Sequence, residues 1–186
     1  TQSENQYIAS INTSNFIIGN NFLTILASKD NYSIASKLIT ITVGERDTDL
    51  TVLLNDDPSG SITLPYGEAL NMTAVYEDST GYSLEDAIVQ VLSGDGDTLY
   101  TLEYNATYSH YSWTLNTDEL SLGVNLLSIY AKQDNYSAIS ASIIITVDER
   151  DTDLTVLLND DPSGSITLPY GEALNMTAVY EDSTGY

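Results

Sequence analysis

The sequence predicts an all-β chain built from tandem sandwich repeats of about 104 residues, and three observations lead there. Residues Glu45 to Tyr82 recur letter for letter at Glu149 to Tyr186, a register of 149 − 45 = 104 residues. Apolar and polar residues alternate at period two along most of the chain, with β-branched and aromatic residues clustered between turn signals. Those turn signals fall about 8 to 12 residues apart, the spacing of a β-sandwich. A period near 100 residues is too long for one turn of a solenoid and is the size of a small domain.

Upstream of the identical blocks the copies have diverged but keep the register. Asp30-Asn31-Tyr32-Ser33 aligns with Asp134-Asn135-Tyr136-Ser137, and Asn12-Thr13 with Asn116-Thr117. Gly19, Leu23, Ile25, Ala27, Ile39, Ile41 and Val43 match Gly123, Leu127, Ile129, Ala131, Ile143, Ile145 and Val147, so the surviving positions are small, apolar or turn-forming.

A unit that starts at Glu45-Arg46-Asp47-Thr48-Asp49 reads as follows. Leu50 to Leu54 forms the first strand, and Asn55-Asp56-Asp57-Pro58-Ser59-Gly60 breaks it. Ser61 to Leu64 is a short second strand that ends at Pro65-Tyr66-Gly67. Leu70, Met72, Ala74 and Tyr76 alternate with Asn71, Thr73 and Val75, placing the first set inward. Glu77 to Gly81 turns the chain into Ala87 to Leu92, and Ser93-Gly94-Asp95-Gly96-Asp97 turns it into a strand from Leu99 to Tyr104. Tyr111, Trp113 and Leu115 share the inward parity of the next strand, and Asp118 to Gly123 reverses it. Leu127, Ile129 and Ala131 line the following strand, and Ala138 to Val147 closes the unit with Ile139, Ala141, Ile143, Ile145 and Val147 on one face. Seven or so strands in about 100 residues is the pattern of an immunoglobulin-like sandwich.

That frame divides the chain into residues 1–44, the back half of one unit, residues 45–148, a complete unit, and residues 149–186, the front half of the next. A half unit of fewer than about 40 residues buries too little surface to fold unaided, and open sheet edges template aggregation. The sequence therefore reads as an excerpt from a longer polymer. The alternative is completion between molecules, residues 1–44 of one chain against 149–186 of the next, head to tail. That composite would lack the counterpart of Tyr82 to Tyr104.

Three stretches carry a family resemblance: Tyr66-Gly67-Glu68-Ala69-Leu70-Asn71-Met72-Thr73, Leu122-Gly123-Val124-Asn125-Leu126-Leu127-Ser128-Ile129-Tyr130-Ala131, and Asn135-Tyr136-Ser137. The unit resembles the tandem Ig-like repeats of archaeal and bacterial cell-surface proteins of the adhesin and invasin type. The resemblance implies an extracellular stalk, surface coat, adhesive fibre or S-layer component. Its partners would be neighbouring repeats of the same chain or of identical chains, with a surface ligand or glycan as the adhesin alternative. Asp134-Asn135 stands where such repeats often carry Pro-Gly, and either pair makes a turn.

Composition narrows the function classes. The formal net charge is −22, with 27 acidic residues against 5 Lys plus Arg, which excludes a broad phosphate-binding surface and hence nucleic acid as a partner. Without cysteine there are no disulfides and no thiolate metal sites. No stretch approaches the roughly 20 apolar residues of a membrane span.

Acidic residues gather where units join. Asp95, Asp97, Asp118 and Glu119 are expected at the same pole as Asp148, Glu149, Asp151 and Asp153 of the linker, with Glu181 and Asp182 presented by the next unit. A hard cation such as Ca²⁺ takes six to eight oxygens, and this junction offers them. The full Asp-x-Asn-Asp-Asn motif of cadherin-type linkers is missing, and the plainer reading is a solvated linker in which Arg150 neutralises a neighbour. Gly94-Asp95-Gly96-Asp97 by itself reads as a hairpin turn.

Sequons for N-glycosylation stand at Asn12, Asn31, Asn71, Asn105, Asn135 and Asn175, sites that matter only if the chain is exported. Tyr104, Tyr108, Tyr111 and Trp113 suggest a sugar-stacking platform, but inward parity favours core filling. No enzyme is expected: His110 is the only histidine, its repeat equivalent is Gln6, and no thiol is present. Lys132, the one lysine of the complete unit, sits at a strand end and makes a poor isopeptide donor.

Overall fold

The computed structural model describes residues 6–182. In chain order it contains one turn of 3-10 helix, η1 (Thr13–Asn15), then β1 (Gly19–Ala27), β2 (Ala35–Val43), β3 (Thr48–Leu54), β4 (Ser61–Pro65), β5 (Ala69–Asp78), β6 (Ile88–Leu92), β7 (Thr98–Thr101), β8 (Glu103–Asn105) and β9 (His110–Asn116). A second 3-10 turn, η2 (Thr117–Glu119), leads into β10 (Gly123–Lys132), β11 (Ile139–Asp148), β12 (Thr152–Leu158) and β13 (Met176–Asp182).

Strands β3 to β11 build an all-β, Ig-like sandwich. One sheet has the order β3-β5-β9-β8 and the other β4-β11-β10-β6-β7. Pairing is antiparallel except where β4 runs parallel to β11, with Ser61 opposite Ile144 and Pro65 opposite Asp148. Alternation dictates the core. Leu70, Met72, Ala74 and Tyr76 of β5 face Leu127, Ile129 and Ala131 of β10 and Ile143, Ile145 and Val147 of β11 within one buried cluster. Tyr111 and Leu115 join it from β9, and Val89 and Val91 from β6.

Two expectations need correction. The stretch Leu99 to Tyr104 is not one strand. Leu102 is buried and its amide donates to the Val89 carbonyl at 2.9 Å, and there the chain leaves β7, an edge of the five-stranded sheet, to become β8, an edge of the four-stranded one. An inward apolar residue at a sheet change looks the same in sequence as one within a strand. Trp113 is not core. It has the inward parity of Tyr111 and Leu115 but is 36% exposed. The edge strand β8 pairs only with Ser112, Tyr111 and His110, so β9 runs uncovered from Trp113 onward. Its indole lies at the rim, stacked on Tyr100 with ring centroids 5.7 Å apart.

The flanking copies repeat the pairing of the sandwich. Gly19↔Val43 in β1 and β2 reproduces Gly123↔Val147 in β10 and β11, and Thr152↔Asp182 in β12 and β13 reproduces Thr48↔Asp78 in β3 and β5. Each pair forms a two-stranded sheet of its own. Met72 is fully buried, whereas Met176 in the identical sequence is 71% exposed. Met72→Ala should therefore cost about 2–5 kcal/mol and Met176→Ala about nothing. Urea unfolding followed by the fluorescence of the single tryptophan measures both, and equal costs would contradict this placement.

Candidate functional site

The main chain joins and leaves the sandwich at opposite ends of β11. Upstream, the Arg46 amide donates to the Asn135 carbonyl (3.0 Å) and the Arg46 carbonyl accepts from the Ser137 amide (2.8 Å). The Thr48 and Tyr76 hydroxyls both donate to the Ser137 carbonyl, at 2.8 and 3.1 Å. Burial pushes the Tyr76 phenol above its ordinary value, so this donor stays protonated. Arg46 Nη1 reaches Asp78 Oδ2 at 3.0 Å. The Asp78 side chain is buried and its other oxygen accepts from the Thr80 hydroxyl, the Thr80 amide (2.8 Å) and the Tyr82 amide (3.1 Å). A buried carboxylate is tolerated only when it is well supplied with donors. The Thr80 hydroxyl above all, then the two amides and the Arg46 charge, hold this carboxyl below its ordinary 3.8.

Downstream, a four-residue turn occupies the pole. Pro65-Tyr66-Gly67-Glu68 is closed by the Glu68 amide on the Pro65 carbonyl (3.2 Å), and Gly67 has φ +80°, the left-handed conformation a type II turn requires at that position. The turn is fastened to η2 through Thr117, which is fully buried. Its hydroxyl donates to the Pro65 carbonyl (2.8 Å) and accepts from the Glu68 amide (2.8 Å), while its amide donates to the Glu68 carbonyl (2.9 Å). The Tyr66 amide donates to the Asp148 carbonyl at 2.8 Å, tying the turn to the end of β11.

Arg150 lies across this turn. Its Nε donates to the Tyr66 carbonyl at 2.6 Å and its Nη2 to Glu68 Oε1 at 3.1 Å, while its Nη1 pairs with Asp182 Oδ2 at 3.1 Å. A Cβ on residue 67 would sit 3.5 Å from Nη2, so the guanidinium rests directly on the glycine. Arg150 thus bridges the turn after β4 and the end of β13.

The acidic residues expected at the junction are dispersed. Asp95 and Asp97 are exposed in the β6–β7 turn, and Asp118 and Glu119 in η2, where Glu119 accepts from the Tyr100 hydroxyl at 2.8 Å. Burial and that carboxylate push Tyr100 up to about 12. Asp148, Glu149, Asp151, Asp153 and Glu181 are exposed, and Asp182 is held by Arg150. Among the described residues no three His, Cys, Asp or Glu side chains group in a way that could hold a metal ion. Of the sequons, Asn12, Asn31, Asn71, Asn135 and Asn175 are exposed and Asn105 is half-buried. Of the aromatic set, Tyr111 is core and Tyr104 is half-buried against it, whereas Tyr108 is exposed and stacks on His110 at 5.7 Å. Lys132 is exposed.

Sequence reasoning missed Thr117 and the Tyr66 carbonyl. The signal available was the Asn-Thr pair kept in both copies: Asn12 and Asn116 each cap a 3-10 turn, accepting from Ser14 N and Asp118 N.

Fold and contacts together define the chain as an all-β protein of Ig-like sandwich type in which the Arg150 guanidinium bridges the turn after β4 and β13. No family model matches the chain, and no curated protein matches it. Among solved structures it is similar to the fibronectin(III)-like modules of Clostridium thermocellum CbhA, at 22% sequence identity and a TM-score of 0.40. That match covers 71% of this chain and 64% of the other, so the chain spans less than two thirds of that structure's length. Among the described residues no helix is long and apolar enough to cross a membrane.

The lowered Asp78 carboxyl has a consequence for stability. A folded-state value below the unfolded one stabilises the fold above the unfolded value, and this contribution is lost as pH falls through the folded value. Asp78→Asn should lower the melting temperature at pH 7, and the gap to wild type should narrow to its uncharged remainder below about pH 4. Melting curves from pH 7 to 3 check this, and a gap constant with pH would remove the charge from the explanation.

Proposed function

We propose that this chain is a structural segment of a tandem Ig-like array, the spacer or shaft of an extracellular surface protein or fibre. The supporting observation is that the chain joins and leaves the sandwich at opposite ends of the ten-residue strand β11, with an arginine at each end. Each added unit then lengthens the array by about 33 Å of strand plus loops, roughly 40 Å in all. Function in such an array is mechanical: identical units add reach without new chemistry. The excess of acidic side chains keeps arrays soluble and apart. Exposed sequons, with Asn71 on the outer face of β5, suit glycosylation on an exported surface.

A second reading, an adhesin-type binding module, is favoured by one observation. The Trp113–Tyr100 stack lies at the sandwich rim with Trp113 exposed and Tyr100 half-buried, and the preceding copy has Ala9 at the Trp113 position. A surface that varies between units suits a ligand better than a spacer.

Cryo-electron microscopy of native material should show a fibre with an axial repeat of about 40 Å, set by strand length. A sheet or globular particles without that repeat would overturn the shaft reading. Titration of the single tryptophan's fluorescence with oligosaccharides separates the second reading: it should stay flat for a spacer and shift saturably for a sugar-binding rim.

A further inference from the structure

We propose that every unit carries both halves of a head-to-tail lock, in which the Tyr66 carbonyl and Glu68 carboxylate of one unit grip the guanidinium of the next unit's first arginine, itself anchored to that next unit's buried-strand aspartate. This rests on the array reading above and adds to it the partner surface and the residues that set the angle between units.

The repeat register supplies the logic. Arg46 and Asp78 recur as Arg150 and Asp182, at 46 + 104 = 150 and 78 + 104 = 182. In both places Nη1 holds the aspartate of its own unit, at 3.0 and 3.1 Å. Only Arg150 has a described downstream turn in front of it, and there the remaining nitrogens are used on Tyr66 and Glu68. The side chain of Arg150 is accordingly 27% exposed and that of Arg46 65%. Three donors directed at three acceptors from two units is the planar geometry that arginine provides and lysine does not.

The other junction shows the complementary part of the same surface. Asn12, Ile18 and Val43, repeat equivalents of Asn116, Leu122 and Val147, line one cleft with Arg46, Asn135 and Tyr136. The upstream pole of the complete unit therefore faces the downstream pole of the preceding copy, as β13 and Arg150 face the turn at Tyr66. The receiving turn is also preformed: in the third copy Glu172 N still donates to the Pro169 carbonyl at 3.2 Å, and Gly171 keeps φ +91°. Because Tyr66, Gly67, Glu68, Arg150 and Asp182 belong to the identically duplicated block, the lock propagates with the repeat. It also sets a cation between Glu68 and Asp182, which would otherwise repel across the joint.

The chain has no cysteine, so introduced ones label cleanly. Spin labels at Thr101→Cys and Thr155→Cys report the distance between the complete unit and β12 by double electron–electron resonance. Wild type should give one narrow distribution, and Arg150→Ala should broaden it about twofold, since loosely tied domains move by default. Glu68→Gln should fall between them, Arg46→Ala should change nothing, and 1 M salt should move wild type toward Arg150→Ala by screening. A second label pair, Thr155→Cys with Thr177→Cys, on paired strands and read by dipolar broadening of the continuous-wave spectrum, should stay the same in every variant, confirming that the hairpin itself is intact. The lock is overturned if Arg150→Ala and salt leave the width unchanged, or if EDTA broadens wild type as Arg150→Ala does, which would give the joint to a metal ion. An unchanged width beside an axial repeat of about 40 Å in native fibres would overturn the lock and leave the shaft reading intact. Broadening by Arg150→Ala without such a repeat would do the reverse.

Discussion

The parallel pairing of β4 with β11 is the constraint on which the rest of the unit depends. Strand β3 belongs to one sheet, yet after the turn at Asn55 to Gly60 the chain crosses and adds β4 to the edge of the other. The two sheets are thereby closed over a shared core at the edge where β11 would otherwise present unpaired backbone groups. The register of this pairing also fixes the downstream pole. Pro65 stands opposite Asp148, so the turn that follows Pro65 meets the linker two residues before Arg150. Thr117 then fastens the same turn from the far side through three hydrogen bonds. The Tyr66 carbonyl that receives the guanidinium is thus positioned by backbone pairing and by the buried Thr117, and the Glu68 side chain reaches the guanidinium from the same turn.

Charge distribution follows the same economy. With five basic residues against 27 acidic ones, each cation matters by position. The two arginines, 104 residues apart, make the ion pairs found among the described residues, and each is rooted on a carboxylate of its own unit. Asp78 is the clearest case, since hydrogen bonds from Thr80 and Tyr82 keep its carboxyl ionised inside the fold. In the array proposed above, an acidic surface with guanidinium joints would let units repel sideways while holding end to end. Acidic residues crowd the linker in sequence, which suggested a cation site. Adjacency along the chain does not bring their carboxylates together: among the described residues no three of them group to hold a metal ion.

Much of the core was legible because period two is a strong constraint when one face is buried. Leu70, Met72, Ala74 and Tyr76 are inward as alternation requires, and so are Leu127, Ile129, Ala131, Ile143, Ile145 and Val147. Parity does not report where a sheet ends. Trp113 has the right parity and the wrong depth, because β8 is only three residues long and leaves it at the rim. Leu102 has an inward side chain in a stretch that changes sheets. The junction was legible only in part: the duplicated arginine could be seen, but its acceptors include a main-chain carbonyl, and a carbonyl has no sequence signature.

The duplication separates what sequence alone determines from what tertiary structure decides. In both copies the turn after the first strand forms alike, with Asn55 and Asp56 at φ 49° and 66° and Asn159 and Asp160 at 49° and 68°. The register of β3 with β5 and of β12 with β13 is the same, and the Pro-Tyr-Gly-Glu turn closes in each. These features rest on contacts within about 30 residues, so the local sequence suffices. Ser61–Pro65 is a strand, whereas residues 165–169, identical in sequence, are not. Likewise β5 starts at Ala69 and β13 only at Met176, because Ala69, Leu70 and Asn71 are held by β9. A strand needs hydrogen-bond partners from another strand, and where these come from far along the chain, tertiary contact decides whether the same residues are extended and buried or irregular and exposed.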